Sequence, residues 1–404
     1  MGGACRRGLA AALLLLAGAA PVPAALLRVP EDHASIAAAF AAASYGDTVS
    51  LAAGIYFESA LIWPQGCALL GRTGDPADVV IDAQYQGHVL GGSNLFGENE
   101  LAYLTLRAGQ GAGPYGSGLS AIGDPYLHDL VIEDCTAKGP LYGIGLYARG
   151  SAVIVDCVLR NNRSSAAGTE GGGAWLRGTP AAGGHWVENL EVYGNEAAFS
   201  SGIHFSDLYG YFTGLYCHDN LGDGLVIYNG SVNGIGPTVE YSFFIGNTGA
   251  AIAYEADALI RSCTIVGNGT LGGGAAAVHG GSSWDFTNEP RITQCVVAFN
   301  LGPGIQGIAL TPYTVDCNDV YENAGGNYLV WPDLTGSDGN ISLDPQFCGG
   351  GGRPYELRWD SPCAEPNNGC GLLIGAYAVG CADSGVADTH WGAVKARYGN
   401  GTPP

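Results

Sequence analysis

Basic residues are scarce in this sequence: 16 Lys and Arg stand against 37 Asp and Glu, a formal net charge of −21. Such a balance repels phosphate backbones and excludes a nucleic-acid partner. It also counts against a polyanionic substrate unless local cations offset it. No CxxC pair occurs, so neither a zinc ribbon nor a thioredoxin-like site is expected. Long apolar runs are absent beyond the N-terminus, where a membrane-spanning helix would need roughly 20 such residues. The N-terminus itself reads as an export signal: Arg6-Arg7, then LAAALLLLAGAA, then PVPAA, a positive region, a short apolar core and a small-residue cleavage site. A signal peptide is therefore expected over 1–24, cleaved after Ala24, leaving a chain without a membrane span, secreted or held at the cell surface as a monomer.

What the chain has in excess is glycine, 67 residues of it, and an asparagine that keeps returning. Asn162, Asn195, Asn220, Asn247, Asn268, Asn300 and Asn323 recur at spacings between 21 and 33 residues. Five residues before the first six stand Cys157, Leu190, Leu215, Ser242, Cys263 and Cys295, so CVLRNN, CTIVGN and CVVAFN are one motif. After each Asn and a variable loop comes a Gly- or Ala-led apolar strand: GIGLY (143–147), GAWLR (173–177), GIHFS (202–206), GLVIY (224–228), AIAYE (251–255) and AAAVH (275–279). Both strand types alternate with period two and are bounded by Gly and Asn. One unit is too small to bury its apolar face alone, so the core must come from stacking units. An Asn in the same turn of every unit can bond to the turns above and below it. The pattern predicts an all-β chain, a right-handed single-stranded parallel β-helix.

The two ends resemble the pectin-lyase-like β-helix proteins of secreted bacterial type. RVPEDHASIAAAFAAASYGDTVSLAAGIYFE (28–58) looks like their usual opening, a short amphipathic helix followed by GDTV and GIYFE. The helix, Ser35 to Ala43 with Ile36 and Phe40 inward, is expected to cap the first coil. SLDPQFC…YELRWDSPC…IGAYAVGC (342–381) is similar to the end of such chains, although Leu373 stands where they carry an Asp. The domain plan that follows is a capped β-helix over 25–340, a cysteine-bearing C-terminal coil over 341–382, and a tail over 383–404 in which Trp391, Val394 and Tyr398 have helical spacing.

Alternation within the strands assigns facing. Ile144/Leu146, Ala174/Leu176, Ile203/Phe205, Leu225/Ile227 and Ile252/Tyr254 should point into the coil. The outward row then reads Tyr147, Trp175/Arg177, His204/Ser206, Val226/Tyr228, Ala253/Glu255 and His279, with coils about 4.8 Å apart. Arg177, His204, Tyr228, Glu255 and His279 are expected on one exposed stripe. A solvated sheet face explains that stripe, and so does a polysaccharide groove, in which Tyr147, Trp175 and His279 would contact sugar. In the lyases among the proteins this chain resembles, a base removes the proton beside a uronate carboxyl group and a cation stabilises the developing charge. Arg177 suits the charge role, and His204 or Tyr228 the base. Hydrolysis needs two carboxylates, and Asp223 with Glu255 or Asp207 is the available pairing.

NLGDGLVIYN (220–229) resembles the strand entry of polygalacturonases, where an Asp before a Gly-apolar strand is catalytic. The rest of that family's pattern is missing. Ala250 and Ala251 stand where an Asp-Asp pair belongs, His279 falls at the end of its strand, and no Arg-x-Lys motif follows. Asp223 is thus a turn residue first and a catalytic candidate second. Three readings remain open: a carbohydrate-binding surface protein, a polysaccharide lyase or glycoside hydrolase for an acidic polymer, and a structural, adhesin-like solenoid. Asp219 and Asp223 flank one turn and offer the oxygen ligands that Ca2+ takes, but capping the turn uses the same atoms. No other metal or cofactor is indicated.

Of the twelve Cys, Cys348, Cys363, Cys370 and Cys381 crowd the C-terminal part and read as two disulfides with three pairings open. The repeat Cys read as buried thiols, with Cys135/Cys157 and Cys263/Cys295 as neighbours on adjacent rungs, while Cys217 and Cys317 fall off the register. His33, His88, His128, His185, His218 and His390 have no ligand spacing and read as surface or turn residues. Asn162, Asn229, Asn268, Asn340 and Asn400 match glycosylation acceptors, a match that an Asn-rich repeat makes common by chance.

Overall fold

A computed structural model of the chain describes residues 24–111, 113–178, 184–206, 209–228, 236–255, 257–270, 274–280, 290–307, 313–348 and 355–381. The expected signal peptide (but for Ala24), Asp207, and the tail over 383–404 lie outside them.

The strands form a right-handed parallel β-helix. One wall is an eleven-stranded parallel sheet running from Leu61–Ile62 to Tyr328–Leu329, and a 21-stranded sheet forms the remaining walls. Stacked positions are fixed by register: Leu146 pairs with Ala174, Ala174 with Ile203, Ile203 with Leu225, Leu225 with Ile252. Each of these is buried, as are Ile144, Leu176, Phe205, Ile227 and Tyr254. The expected inward set is therefore the core, and period-two alternation decides it because one sheet face must leave water.

Among the described residues, two of the three turns in the central coils are tight corners built on a left-handed residue, such as Asp156 and Asn161. Asn161, Gly194, Asp219, Gly246, Gly267, Phe299 and Glu322 (φ between 45° and 72°) precede the ladder asparagines. Behind that corner the amides join. Asn220 Nδ2 donates to Asn247 Oδ1 (2.9 Å) and Val192 O (3.0 Å), while Asn220 Oδ1 accepts from the N–H (3.1 Å) and Nδ2 (3.0 Å) of Asn195. The same pattern runs from Asn162 through Asn323. Cys135 occupies the Asn position of its coil, its N–H donating to Asn162 Oδ1 (3.1 Å). It is therefore no neighbour of Cys157, which sits at the other corner; the expected pairing fails because the two Cys belong to different columns. Cys263 and Cys295 do share a column, as expected, and it continues into Asn318 and Asn340. The acceptor motifs at Asn162, Asn268 and Asn340 are closed to glycosylation, since all three side chains are buried in these ladders.

A helix, Ile36–Ala42, buries Ile36, Ala39 and Phe40. Ser35 Oγ accepts from Ala38 N–H (3.1 Å), and the Glu58 carboxylate takes Ile36 N–H (2.7 Å) and Ala37 N–H (2.9 Å), so the GIYFE segment satisfies the donors the helix leaves open.

The disulfides are Cys348–Cys381 and Cys317–Cys370, and Cys363 is a buried free thiol. Cys317 is a left-handed corner residue (φ 54°), which turns its side chain away from the interior column and toward the C-terminal segment. That segment lies along the outside of the 21-stranded sheet. Tyr355, Leu357, Cys363 and Ile374 bury against Phe243, Ile245, Val266, Val296 and Ala298, and Gly375 N–H donates to Gln294 O (2.7 Å). Leu373 packs on this apolar patch, which gives a physical reason for an apolar residue at that position. Among the described residues no helix is long and apolar enough to cross a membrane.

Candidate functional site

The outward residues of the eleven-stranded sheet fall into two adjacent columns rather than one stripe. Tyr147 pairs with Trp175, Trp175 with His204, His204 with Val226, Val226 with Ala253 and Ala253 with His279. Two residues on, Arg149 pairs with Arg177, Arg177 with Ser206 and Ser206 with Tyr228. Glu255 follows, its N–H donating to Ile227 O. Arg177, Tyr228 and Glu255 thus share the second column, whereas His204 and His279 share the first, with Val226 and Ala253 between them.

Nor is the first column exposed. Tyr147 (2 % exposed), Trp175 (6 %) and His204 (3 %) are covered although they point away from the core. The cover is a third ladder, which the sequence reading missed. Immediately before each strand the turn residues Tyr115, Tyr142, Glu170 and Phe199 pair coil to coil. Their side chains lie over the first column: Tyr115 on Tyr147 (4.4 Å between ring centres), Tyr142 on Trp175 (5.1 Å), Phe199 on His204 (5.8 Å). Within the first column Tyr147 stacks on Trp175 (5.2 Å, 9°) and Trp175 on His204 (5.8 Å, 11°), and Tyr228 closes the far side (6.2 Å from His204). Tyr115, Tyr142, Phe199 and Tyr228 keep 37–50 % exposure. A signal for the third ladder existed in the sequence: Tyr115, Tyr142, Glu170 and Phe199 each stand four residues before the first core residue of the strand, in YGSGL, YGIGL, EGGGA and FSSGI.

Polar groups sit at the middle of this platform. Trp175 Nε1–H donates to Glu170 Oε2 (3.3 Å), which lies 3.9 Å from His204 Nδ1, and Ser200 Oγ is 3.1 Å from the same nitrogen. Burial pushes the His204 imidazole down to about 4, so the ring is neutral near pH 7. A free imidazole of that pKa is a weak base, which removes the physical ground for giving His204 the base role. Burial, with the neighbouring Tyr115, also raises the Tyr147 hydroxyl to about 12, against the pull of Arg149 and Arg177.

Asp223 and Glu255 form a second group. Burial raises both carboxyls, opposed for Asp223 by Ala250 N–H (2.7 Å to Oδ1) and for both by His279. His279 Nδ1 is buried with no partner among the described residues. Asp223 therefore bridges its turn to the next coil, as its turn reading requires, while standing beside a histidine. Asp219 is taken by His218 Nδ1 (2.8 Å), so the two carboxylates offered for Ca2+ are committed to different partners. Among the described residues no group of three or more His, Cys, Asp or Glu is placed to hold a metal. His185 and His128 are buried rather than superficial. His185 lies on the 21-stranded sheet, buried against Phe205, and His128 is held between Asp129 and Glu100.

Residues 120–289 match the family model for the right-handed beta helix region. No curated protein matches the chain significantly. Similar solved structures include the A-module of mannuronan C-5 epimerase AlgE4 from Azotobacter vinelandii, at 16 % identity and a TM-score of 0.42 over 76 % of this chain and 92 % of that one. A mutant of the PL6 family alginate lyase AlyGC aligns at 15 % identity and a TM-score of 0.47 over 90 % of this chain and 60 % of that one. Pectin methylesterase PemA from Erwinia chrysanthemi aligns at 12 % identity and a TM-score of 0.31 over 65 % and 81 %. What this chain has in common with them is its fold, the right-handed parallel β-helix.

Proposed function

We propose that this protein is exported and binds a polysaccharide along the aromatic platform of the eleven-stranded sheet. The observation that carries the reading is the double ring ladder, in which exposed Tyr115, Tyr142, Phe199 and Tyr228 border the buried Tyr147–Trp175–His204 stack. Sugar rings present apolar C–H faces and polar edges. A row of aromatic rings with a carboxylate, hydroxyls and an imidazole between them matches both, as ligand sites generally combine apolar walls with a few placed polar groups. Arg149 and Arg177, directly opposite one another, add positive charge beside Tyr147 and suit an acidic sugar. Export is supported by the N-terminal signal pattern and by the two disulfides, which persist in oxidising compartments. In this reading the partner is a polysaccharide or cell-surface glycan and the protein works as a monomer.

The test is a glycan array followed by calorimetric titration of the best ligand. Tyr142→Ala and Phe199→Ala should each weaken binding roughly tenfold, the loss of one stacking contact. Absence of binding to any neutral or acidic glycan would leave the structural-solenoid reading in place.

A second reading, a lyase or hydrolase, is favoured by one specific feature: Asp223 and Glu255 are both raised by burial and both feel His279. Burial that raises a carboxyl makes it hold its proton more readily than a free one, the direction a general acid requires. Ultraviolet absorbance of unsaturated uronate and reducing-end release, measured on a polyuronate panel, separate lyase, hydrolase and binder. Asp223→Asn and Glu255→Gln should abolish either activity while leaving binding at the aromatic platform intact.

A further inference from the structure

The turn position occupied by Ser200 belongs to glycine in its neighbours. Gly116, Gly143 and Gly171 stand there in the preceding coils with φ of 50°, 68° and 68°, while Gly222 in the following one has a different backbone, φ 152°. The reason is visible at the three preceding glycines: a Cβ on Gly116 would meet Leu119 O at 2.4 Å, one on Gly143 Leu146 O at 2.1 Å, and one on Gly171 Ala174 O at 2.2 Å. Ser200 has φ 50° and carries a Cβ in this left-handed position all the same. A residue that keeps a disfavoured backbone conformation in a turn of glycines needs a compensating contact.

That contact is His204. Ser200 Oγ accepts from Gly171 N–H (3.2 Å) and lies 3.1 Å from His204 Nδ1. With one side of the oxygen taken by a backbone donor, the hydroxyl hydrogen needs an acceptor, and among the described residues His204 Nδ1 is the group that offers one. Glu170 would be the competitor for a proton on Nδ1, but its Oε2 stands 3.9 Å away and already accepts from Trp175 Nε1–H. A nitrogen that accepts cannot carry the proton in a neutral ring, and the tautomer follows from the bond the other nitrogen makes.

We propose that Ser200 is a positioning residue that fixes His204 with its proton on Nε2, so that the neutral ring packed between Trp175, Phe199 and Tyr228 holds one orientation and one donor within the platform. The role given to His204 rests on the glycan-binding reading, whereas the tautomer does not. Burial keeps the ring uncharged, so the donor persists through mildly acid conditions. The same arrangement denies His204 the part of a base, because its unprotonated nitrogen is turned to Ser200 and not to ligand.

The experiment uses the full chain labelled with nitrogen-15 at histidine, with His204 assigned by its loss in His204→Gln. Long-range proton–nitrogen correlation spectra at neutral pH should show a protonated Nε2 and a bare Nδ1 for His204. Ser200→Gly is the discriminating variant, since it restores the residue the neighbouring coils use and removes the hydroxyl together with the Cβ that strains this position. It should fold at least as well as the parent, yield a mixed His204 tautomer, and bind the best glycan roughly five- to tenfold less tightly, about one hydrogen bond. A protonated Nδ1 in the parent, or an unchanged tautomer in Ser200→Gly, overturns the proposal. A fixed Nε2–H tautomer in a chain that binds no glycan would instead sustain the positioning role and sink the binding reading.

Discussion

Asn220 is held from both sides of the coil stack, so its removal strands its partners. Replacing it by Ala leaves Asn195 N–H and one of the two Asn195 Nδ2 hydrogens without an acceptor, the other still donating to Leu159 O, and Asn247 Oδ1 without one of its donors, all in buried positions. Each stranded group costs about 1–3 kcal/mol, so Asn220→Ala should lose at least about 3 kcal/mol in urea unfolding. Leu225→Ala, a cavity mutation on the next strand, sets the scale at about 2–5 kcal/mol. A second residue-scale expectation concerns Asp319, which is buried and accepts from Leu343 N–H (3.1 Å) and the Cys363 thiol (3.1 Å). Burial raises its carboxyl to about 7, so the folded state holds the proton more tightly than the unfolded chain, whose carboxyl titrates near 4. The contribution of Asp319 is full below about pH 4 and is lost as pH rises toward 7, by an amount on the order of 3–4 kcal/mol. Carboxylates such as Glu31, pulled down to about 2 by Arg72, act with the opposite sign. The readout is therefore the difference between parent and Asp319→Asn, whose melting temperature should gain on the parent between pH 4 and 7 and run parallel above it.

At the scale of elements, the coil was legible because two periodicities had to coincide. Leu146, Ala174, Ile203 and Leu225 repeat at the strand, and the buried amides repeat at the corner; neither works unless successive coils stack in register. The helix was legible through the resemblance of the opening segment, with Ser35 standing as its N-cap rather than its first residue. The platform was only half legible. Alternation fixes that Tyr147, Trp175 and His204 point outward, but it says nothing about what folds over them, and Tyr115, Tyr142 and Phe199 come from turns outside the strand period. The C-terminal pairing was illegible for a related reason: cysteine spacing says nothing about which corner a thiol faces, and Cys317 faces out. Cys317–Cys370 spans 53 residues and ties the C-terminal segment to the 21-stranded sheet. Breaking it with Cys370→Ser should cost about 4 kcal/mol by loop entropy. Trypsin or chymotrypsin should then cut within 355–381 well before the coils, and the freed Phe243, Val266 and Val296 face should bind an apolar dye.

For the whole molecule, the charge excess and the arginine pair pull an acidic glycan in opposite directions, and their ranges differ. A net charge of −21 acts on an approaching polyanion at distances up to the Debye length, about 30 Å at 0.01 M salt but only about 8 Å at 0.15 M. Arg149 and Arg177, stacked coil on coil, act at contact distance, where salt screens less. Far-field repulsion should therefore limit encounter at low salt and fade first as salt is added. The association rate of a polyuronate oligomer, followed by stopped-flow tryptophan fluorescence, should rise severalfold between about 0.01 and 0.15 M salt, the reverse of what a basic polyanion-binding protein shows. A neutral oligosaccharide on the same platform should be indifferent to salt. Arg149→Ala with Arg177→Ala should speed polyuronate dissociation without removing the salt-driven rise in association. A rate that falls steeply with salt would mean that the two arginines govern approach as well as contact, and that the acidic surface of this β-helix is electrostatically remote from its platform.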